Sequence, residues 1–194
     1  MNETELIARA VAAARLSEGF RAEPYQCPAG KWSIGYGLNL ERGNLSDIVK
    51  AIIGRSVVDG LVFGPDGWDF KGLRISEASA LDALKQDLRD AWVELIECRP
   101  WIEDLCDVAR LVLLDMAFNM GVPRLLKFRK TLAAFQRGAW GEAAAEMVDS
   151  VWYGQVGDRA EFHVYYIRQL TDADLSLEQR VLKLTRLVES LRNG

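Results

Sequence analysis

The chain holds a single histidine, His163, among 194 residues. A multi-histidine metal site is therefore excluded, and His163 reads as a structural or surface residue. Cysteine is scarce too. Cys27, Cys98 and Cys106 are odd in number and follow no zinc-ligand spacing. A chain of this size needs no disulfide framework, so reduced thiols are expected. Basic residues do not dominate: 24 Lys and Arg stand against 28 Asp and Glu, for a net charge of -4. The basic footprint of a nucleic-acid binder is missing. No apolar run is long enough to cross a bilayer. The opening Met1-Asn2-Glu3-Thr4-Glu5-Leu6 lacks the positive region and apolar core of a signal peptide. Internal repeats, low-complexity tracts and disordered linkers are absent as well.

What remains is an ordinary globular composition, 49% apolar and 27% charged. Its length suits one domain, or two coupled lobes, with a real core. Asn2 with Glu5 fits a capping box. Leu6, Ile7, Ala10, Val11 and Ala14 then recur at helical spacing, which predicts a helix over 3–18 that stops at Gly19. From 20 to 40 the chain changes character. Pro24, Pro28, Gly30, Gly35 and Gly37 break helices, while Trp32, Ile34 and Tyr36 alternate as in a strand. This is the one β region the sequence predicts. Residues 41–75 are loop-rich, with a short helical piece near 45–53. A long helix is expected over 76–98, with Ala80, Leu81, Leu84, Leu88, Trp92, Leu95 and Ile96 on its apolar stripe and Glu77 in its first turn. Several short helices follow over 99–170. Among them the nearly all-apolar run 108–118 should be a buried central helix. An amphipathic helix is expected over 175–192, with Leu177, Val181, Leu184, Val188 and Leu191 on one face. Trp101, Trp140 and Trp152 read as core.

One segment carries chemistry. Ser17-Glu18-Gly19-Phe20-Arg21 puts a carboxylic acid at a helix end, before a glycine. Cys27 follows nine residues later and Ser33 six after that, in the hairpin Tyr25-Gln26-Cys27-Pro28-Ala29-Gly30-Lys31-Trp32-Ser33-Ile34-Gly35-Tyr36-Gly37. A Glu serves as a general acid only where its surroundings favour the protonated form. The negative end of a helix dipole acts in that direction. Cys27 could act as a thiolate that steadies positive charge, as a nucleophile, or with Ser33 as a holder of the attacking water. Gly30 suits a positive φ in the turn. Gly35 and Gly37 would let a sugar or a strand come close.

The spacing Glu18, Cys27, Ser33 resembles the active segment of the phage-type lysozymes, glycoside hydrolase family 24, whose pattern is Glu, then Asp or Cys, then Thr or Ser. Leu38 stands where that family often has His. Asp115-Met116-Ala117-Phe118-Asn119-Met120-Gly121 is similar to a second family segment. Phe128, Thr131 and Leu132 follow the pattern, as do Trp140, the stretch Ser150-Val151-Trp152-Tyr153-Gly154-Gln155 and Asp158-Arg159-Ala160. The likeness runs over about 3–170, is poor over 41–75, and leaves 171–194 as an addition.

The resemblance implies an α+β, mainly helical, two-lobed lysozyme-like fold in a single domain over 1–194. One lobe would span about 17–75 and hold the hairpin. A linking helix over 76–98 would lead to a helical lobe of 99–170 plus the helix 3–18, with the glycan in the cleft. It implies an endolysin-type muramidase that hydrolyses the β-1,4 bond between N-acetylmuramic acid and N-acetylglucosamine. Glu18, Cys27 and Ser33 would be catalytic. Arg159 would pair with Glu18, and Tyr25 and Gly30 would support the site. Phe118, Thr131, Asn39, Glu146 and Trp32 would bind substrate. No metal or cofactor is implied. The enzyme would be a monomer, made in a bacterial cytoplasm and brought to the wall by a holin-like partner or a phage particle. The rival readings are a weak or inactive wall-binding module, and a lysozyme-like enzyme with another glycan or a transglycosylase outcome.

Overall fold

The computed structural model describes residues 1–27, 30–40, 63–64, 67–68, 73–176 and 179–180. These are mainly helical, with two small antiparallel sheets, the expected α+β class. The chain divides into two compact units, Ile7–Arg89, and Met1–Leu6 with Asp90–Gly194. The division falls inside the first helix and inside the long helix that ends at Cys98.

Helix α1 spans Glu3–Glu18. The Asn2 side chain caps it by accepting the Glu5 N–H at 2.9 Å. Its expected apolar positions, Leu6, Ile7, Ala10, Val11 and Ala14, are all buried. Gly19 ends it in the left-handed region, φ +66°, where a residue with a Cβ is strained.

Within Ile7–Arg89, strands β1 (Arg21–Gln26), β2 (Trp32–Gly35) and β3 (Leu38–Asn39) form a sheet in sequence order. Tyr25 lies opposite Ser33, and Ser33 opposite Asn39. The β1–β2 register is irregular between Arg21 and Tyr25, where Pro24 has no N–H to give to a ladder. Two expectations are corrected. Tyr36 sits in the turn between β2 and β3 rather than in a strand. A second hairpin, β4 (Phe63–Gly64) with β5 (Gly67–Trp68), adds a β region the sequence did not suggest. The helical piece expected near 45–53 lies outside the described residues.

Helix α2 spans Glu77–Cys98 and starts where Ser76 Oγ accepts the Ser79 N–H at 3.1 Å. Ala80, Leu84, Leu88, Trp92 and Leu95 are buried as the stripe predicts, while Leu81 and Ile96 are half-buried.

In the other unit a 3-10 turn, Pro100–Asp104, leads to α3 (Asp107–Met120), α4 (Val122–Leu125), α5 (Arg129–Arg137), α6 (Trp140–Val148), α7 (Val151–Val156) and α8 (Asp158–Gln169). The expected central helix is α3, which buries Ala109, Val112, Leu113, Leu114, Met116 and Ala117. Helix α8 packs its buried Ala160, Val164 and Ile167 face against α3, α6 and α7. Trp140 and Trp152 are core, as expected, and Trp101 is half-buried. Of the helix expected over 175–192, residues 175, 176, 179 and 180 are described. Leu177, Val181, Leu184, Val188 and Leu191 lie outside them.

Candidate active site

Glu18 is the last residue of α1, and the turn that bears Gly37 lies against it. A Cβ built on Gly37 would sit 3.4 Å from Glu18 Oε2 and 3.7 Å from its Cδ. Gly37 has φ +85°, a backbone that favours glycine. The described group nearest that position is the Glu18 carboxylate. Gly35 meets the start of α2: a Cβ there would lie 2.9 Å from Ala80 Cβ.

Tyr36 ties this turn to both helices. Its hydroxyl donates to Glu77 Oε1 at 2.7 Å. Arg15, one turn before Glu18, donates through Nη2 to the same oxygen at 3.1 Å and through Nε to the Tyr36 oxygen at 3.3 Å. The Phe20 ring packs on Tyr36 at 5.6 Å between centroids. The helix end that carries Glu18 and the turn that carries Gly37 are therefore pinned to one acceptor, the Glu77 carboxylate.

Tyr25 marks where Glu18 and Cys27 meet electrically. Burial pushes its phenol up, Glu18 and, more weakly, Cys27 act electrostatically in the same direction, and the Arg21 guanidinium opposes them. That guanidinium stands 4.4 Å over the Tyr25 ring. The backbone of Cys27 is fixed by the turn. Its N–H donates to Lys31 C=O and its C=O accepts from Gly30 N–H, both at 2.8 Å. Gly30 has φ +75°, as expected. Cys27 is half-buried and its thiol forms no disulfide. Ser33 is 4% exposed, with Tyr25 and Asn39 as its cross-strand neighbours. Glu18, Tyr25, Cys27, Ser33, Asn39 and Trp32 thus belong to the unit Ile7–Arg89.

Arg159, Phe118, Thr131 and Glu146 belong to the other unit. Phe118 is half-buried on α3. Thr131 is 2% exposed, which leaves it almost no surface for a sugar. Glu146 is half-buried and lies 3.8 Å from Lys130 Nζ. Arg159 begins α8 and grips Asp115 on α3 with two hydrogen bonds, Nε to Oδ2 at 2.8 Å and Nη2 to Oδ1 at 2.6 Å. His163 Nε2 lies 2.5 Å from Asp115 Oδ2. Burial acts to raise the Asp115 carboxyl, but the hydrogen bonds from His163 and Arg159 outweigh it and hold it at about 2. Asp115 is then an acceptor only, so His163 Nε2 carries the hydrogen between them. Sequence reasoning passed over Asp115 and set His163 aside. The signal was a lone carboxylate inside the apolar run 108–118, because a charge in a core must find a partner.

Among the described residues no group of His, Cys, Asp and Glu side chains could hold a metal ion, and no helix is long and apolar enough to cross a membrane.

A carboxylic acid at a helix end, packed on a turn of a small sheet that also carries a thiol and a hydroxyl, is a group set suited to glycosidic bond cleavage. The Phage lysozyme family profile matches residues 15–161, so the chain belongs to the phage lysozyme family and is a glycoside hydrolase of the muramidase type. It is similar to probable T4-type lysozyme 1 of Dictyostelium discoideum, 28% identical over 150 residues that cover 75% of this chain and 85% of that protein. It is also similar to probable T4-type lysozyme 2 of the same organism, 26% identical over 151 residues with the same coverage of each.

Proposed function

We propose that this lysozyme works as an endolysin and hydrolyses the N-acetylmuramic acid to N-acetylglucosamine β-1,4 bond, with Glu18 as the general acid. The observation that carries the reading is the seat of Glu18. Its carboxyl group lies against Gly37 and acts on Tyr25 together with Cys27. Glu18 gives its proton to the glycosidic oxygen as the bond to the anomeric carbon breaks. Cys27 and Ser33 serve the other face of the sugar, either by holding the attacking water or, for Cys27 as thiolate, by steadying the oxocarbenium-like charge. Tyr25 and Gly30 hold the Cys27 turn in place. Arg159 contributes its charge to catalysis, and Phe118, Asn39, Trp32 and Glu146 bind the glycan. The enzyme acts as a monomer on the wall, to which a membrane-disrupting partner or a phage particle delivers it.

Cys27, where most of the family has Asp, and Leu38, where it often has His, support one rival, a wall-binding module with little activity. Turbidity clearing of permeabilised Gram-negative cells decides between them, with Glu18→Gln alongside. Clearing by the wild type and none by the folded variant is the expected result. Equal clearing by both would remove Glu18 from the chemistry. Wall binding by the wild type without release of reducing sugar would favour the module.

A further inference from the structure

Asp115 is a charge placed inside the apolar run of α3. Its neighbours Leu114 and Met116 are fully buried, and its own side chain is only 10% exposed. A buried ion pair is a poor source of stability, since apolar residues of similar shape do as well or better. What such a pair provides is geometry. The Arg159 guanidinium is held along one edge by both carboxylate oxygens, which fixes the tilt and the rotation of its plane. Asp115 is fixed in turn. His163 binds Oδ2, and its ring stacks on Trp152 at 6.1 Å between centroids with 12° between planes. Trp152 is 2% exposed, donates through Nε1 to Asn119 Oδ1 at 3.1 Å, and meets Phe128 edge-on. Each member of the chain Phe128, Trp152, His163, Asp115, Arg159 therefore removes freedom from the next.

We propose that Asp115 and His163 are positioning residues of the hydrolysis, with Asp115 setting the plane of the Arg159 guanidinium and His163, braced on Trp152, setting Asp115. The proposal rests on the reading above in which Arg159 takes part in catalysis. Neither residue need touch the substrate. Their effect passes through Arg159, and a small misplacement of such a group is enough to slow the chemical step.

The test is steady-state hydrolysis of purified peptidoglycan by Asp115→Asn, Arg159→Met and the double variant. Each is assayed where thermal melting shows it fully folded. Asp115→Asn should lower kcat about tenfold or more, with KM within about twofold of wild type. That loss should vanish in the Arg159→Met background, because the two residues act as one unit. Asp115→Asn should also lower the melting temperature in the wild-type background, where Arg159 and His163 lose their carboxylate. His163→Phe keeps the ring over Trp152 and deletes the hydrogen bond, so it supplies a second variant should Asp115→Asn fold poorly. It should also lower kcat, and His163→Gln, whose amide can donate, should recover part of the loss. Wild-type kcat in a folded Asp115→Asn, or losses that simply multiply in the double variant, would overturn the proposal. Wild-type kcat in Arg159→Met would instead show that the catalytic role of Arg159 is wrong, and the proposal would fall with it.

Discussion

Gly37 sets how near a backbone can come to the acid. A methyl group there would stand 3.4 Å from Glu18 Oε2, at a residue whose φ is +85°. Gly37→Ala therefore carries two penalties of different kind. The left-handed backbone costs about 1–2 kcal/mol in stability. The new methyl also fills the space beside the carboxylate at contact distance, which limits how the acid proposed above can turn toward a substrate. We predict a lower melting temperature and, at temperatures where the variant is folded, a kcat reduced about tenfold. Melting together with peptidoglycan hydrolysis checks this, and a destabilised variant with wild-type kcat would show that Gly37 does not define the acid's seat. The place of Glu18 at a helix end was legible in the sequence because everything that marks it is local: a helix period, a glycine stop and a hairpin within twenty residues. The Asp115 cluster was not, since its hydrogen bonds join residues 44 and 48 positions apart. Only the oddity of one carboxylate in an apolar helix pointed to it. Tyr36 was misread for a related reason. Alternation with Trp32 and Ile34 suggested a strand, but Gly35 and Gly37 turn the chain, and its hydroxyl is spent on Glu77.

At the scale of elements, the start of the last described segment shows how an addition is fastened to a lysozyme body. Ser176 Oγ accepts the Gln179 N–H at 3.2 Å, and Gln179 Oε1 accepts the Ser176 N–H at 3.0 Å. This is a reciprocal capping box, and its S-x-x-Q signature was present in the sequence. The Gln179 amide has a second use that the sequence did not disclose. Its Nε2 donates to the carbonyls of Phe135 at 2.8 Å and Gln136 at 3.3 Å, in the last turn of α5. The Phe135 carbonyl also accepts from the Gly138 N–H at 3.0 Å, so the amide is its second donor. Gly138, with φ +67°, ends α5 and leaves the room, since a Cβ there would lie 2.0 Å from Leu175 Cδ2. Gln179 is 4% exposed, so Gln179→Ala gives up two hydrogen bonds made by a buried amide, at about 1–2 kcal/mol. We predict a melting temperature lower by several degrees, at about 2–4 °C per kcal/mol for a chain this size. Hydrolysis by the folded variant should match wild type. An unchanged melting temperature would mean that the segment after Leu170 contributes nothing to the stability of α5.

For the whole molecule, acid is the condition that separates the two units' chemistry. Of the groups proposed to act, Glu18, Cys27 and Ser33 lie in Ile7–Arg89, while Arg159 and its cluster lie in the unit that begins again at Asp90. The Asp115 carboxyl is held at about 2 in the folded chain, against 3.8 as its ordinary value. A carboxyl with a depressed folded value contributes stability above its unfolded value, and that stability is lost as pH falls through the folded one. The window is therefore about pH 4 down to about pH 2, and the difference of nearly two pKa units is worth about 2 kcal/mol. Asp107 shifts the same way, with burial opposed by its hydrogen bond to Arg110, so wild-type melting alone would mix the two. Asp115→Asn separates them. At neutral pH the variant is less stable than wild type, because Arg159 and His163 face an amide where they held a carboxylate. As pH falls from about 4 to about 2 the wild-type Asp115 is itself neutralised, and the gap in stability between the two proteins should narrow by about 2 kcal/mol. Denaturant melts of both proteins at closely spaced pH values read that gap directly. A gap that stays constant down to pH 2 would mean that Arg159 and His163 do not hold the carboxylate, and that the rigidity we assign to the cluster comes from packing against Trp152 alone.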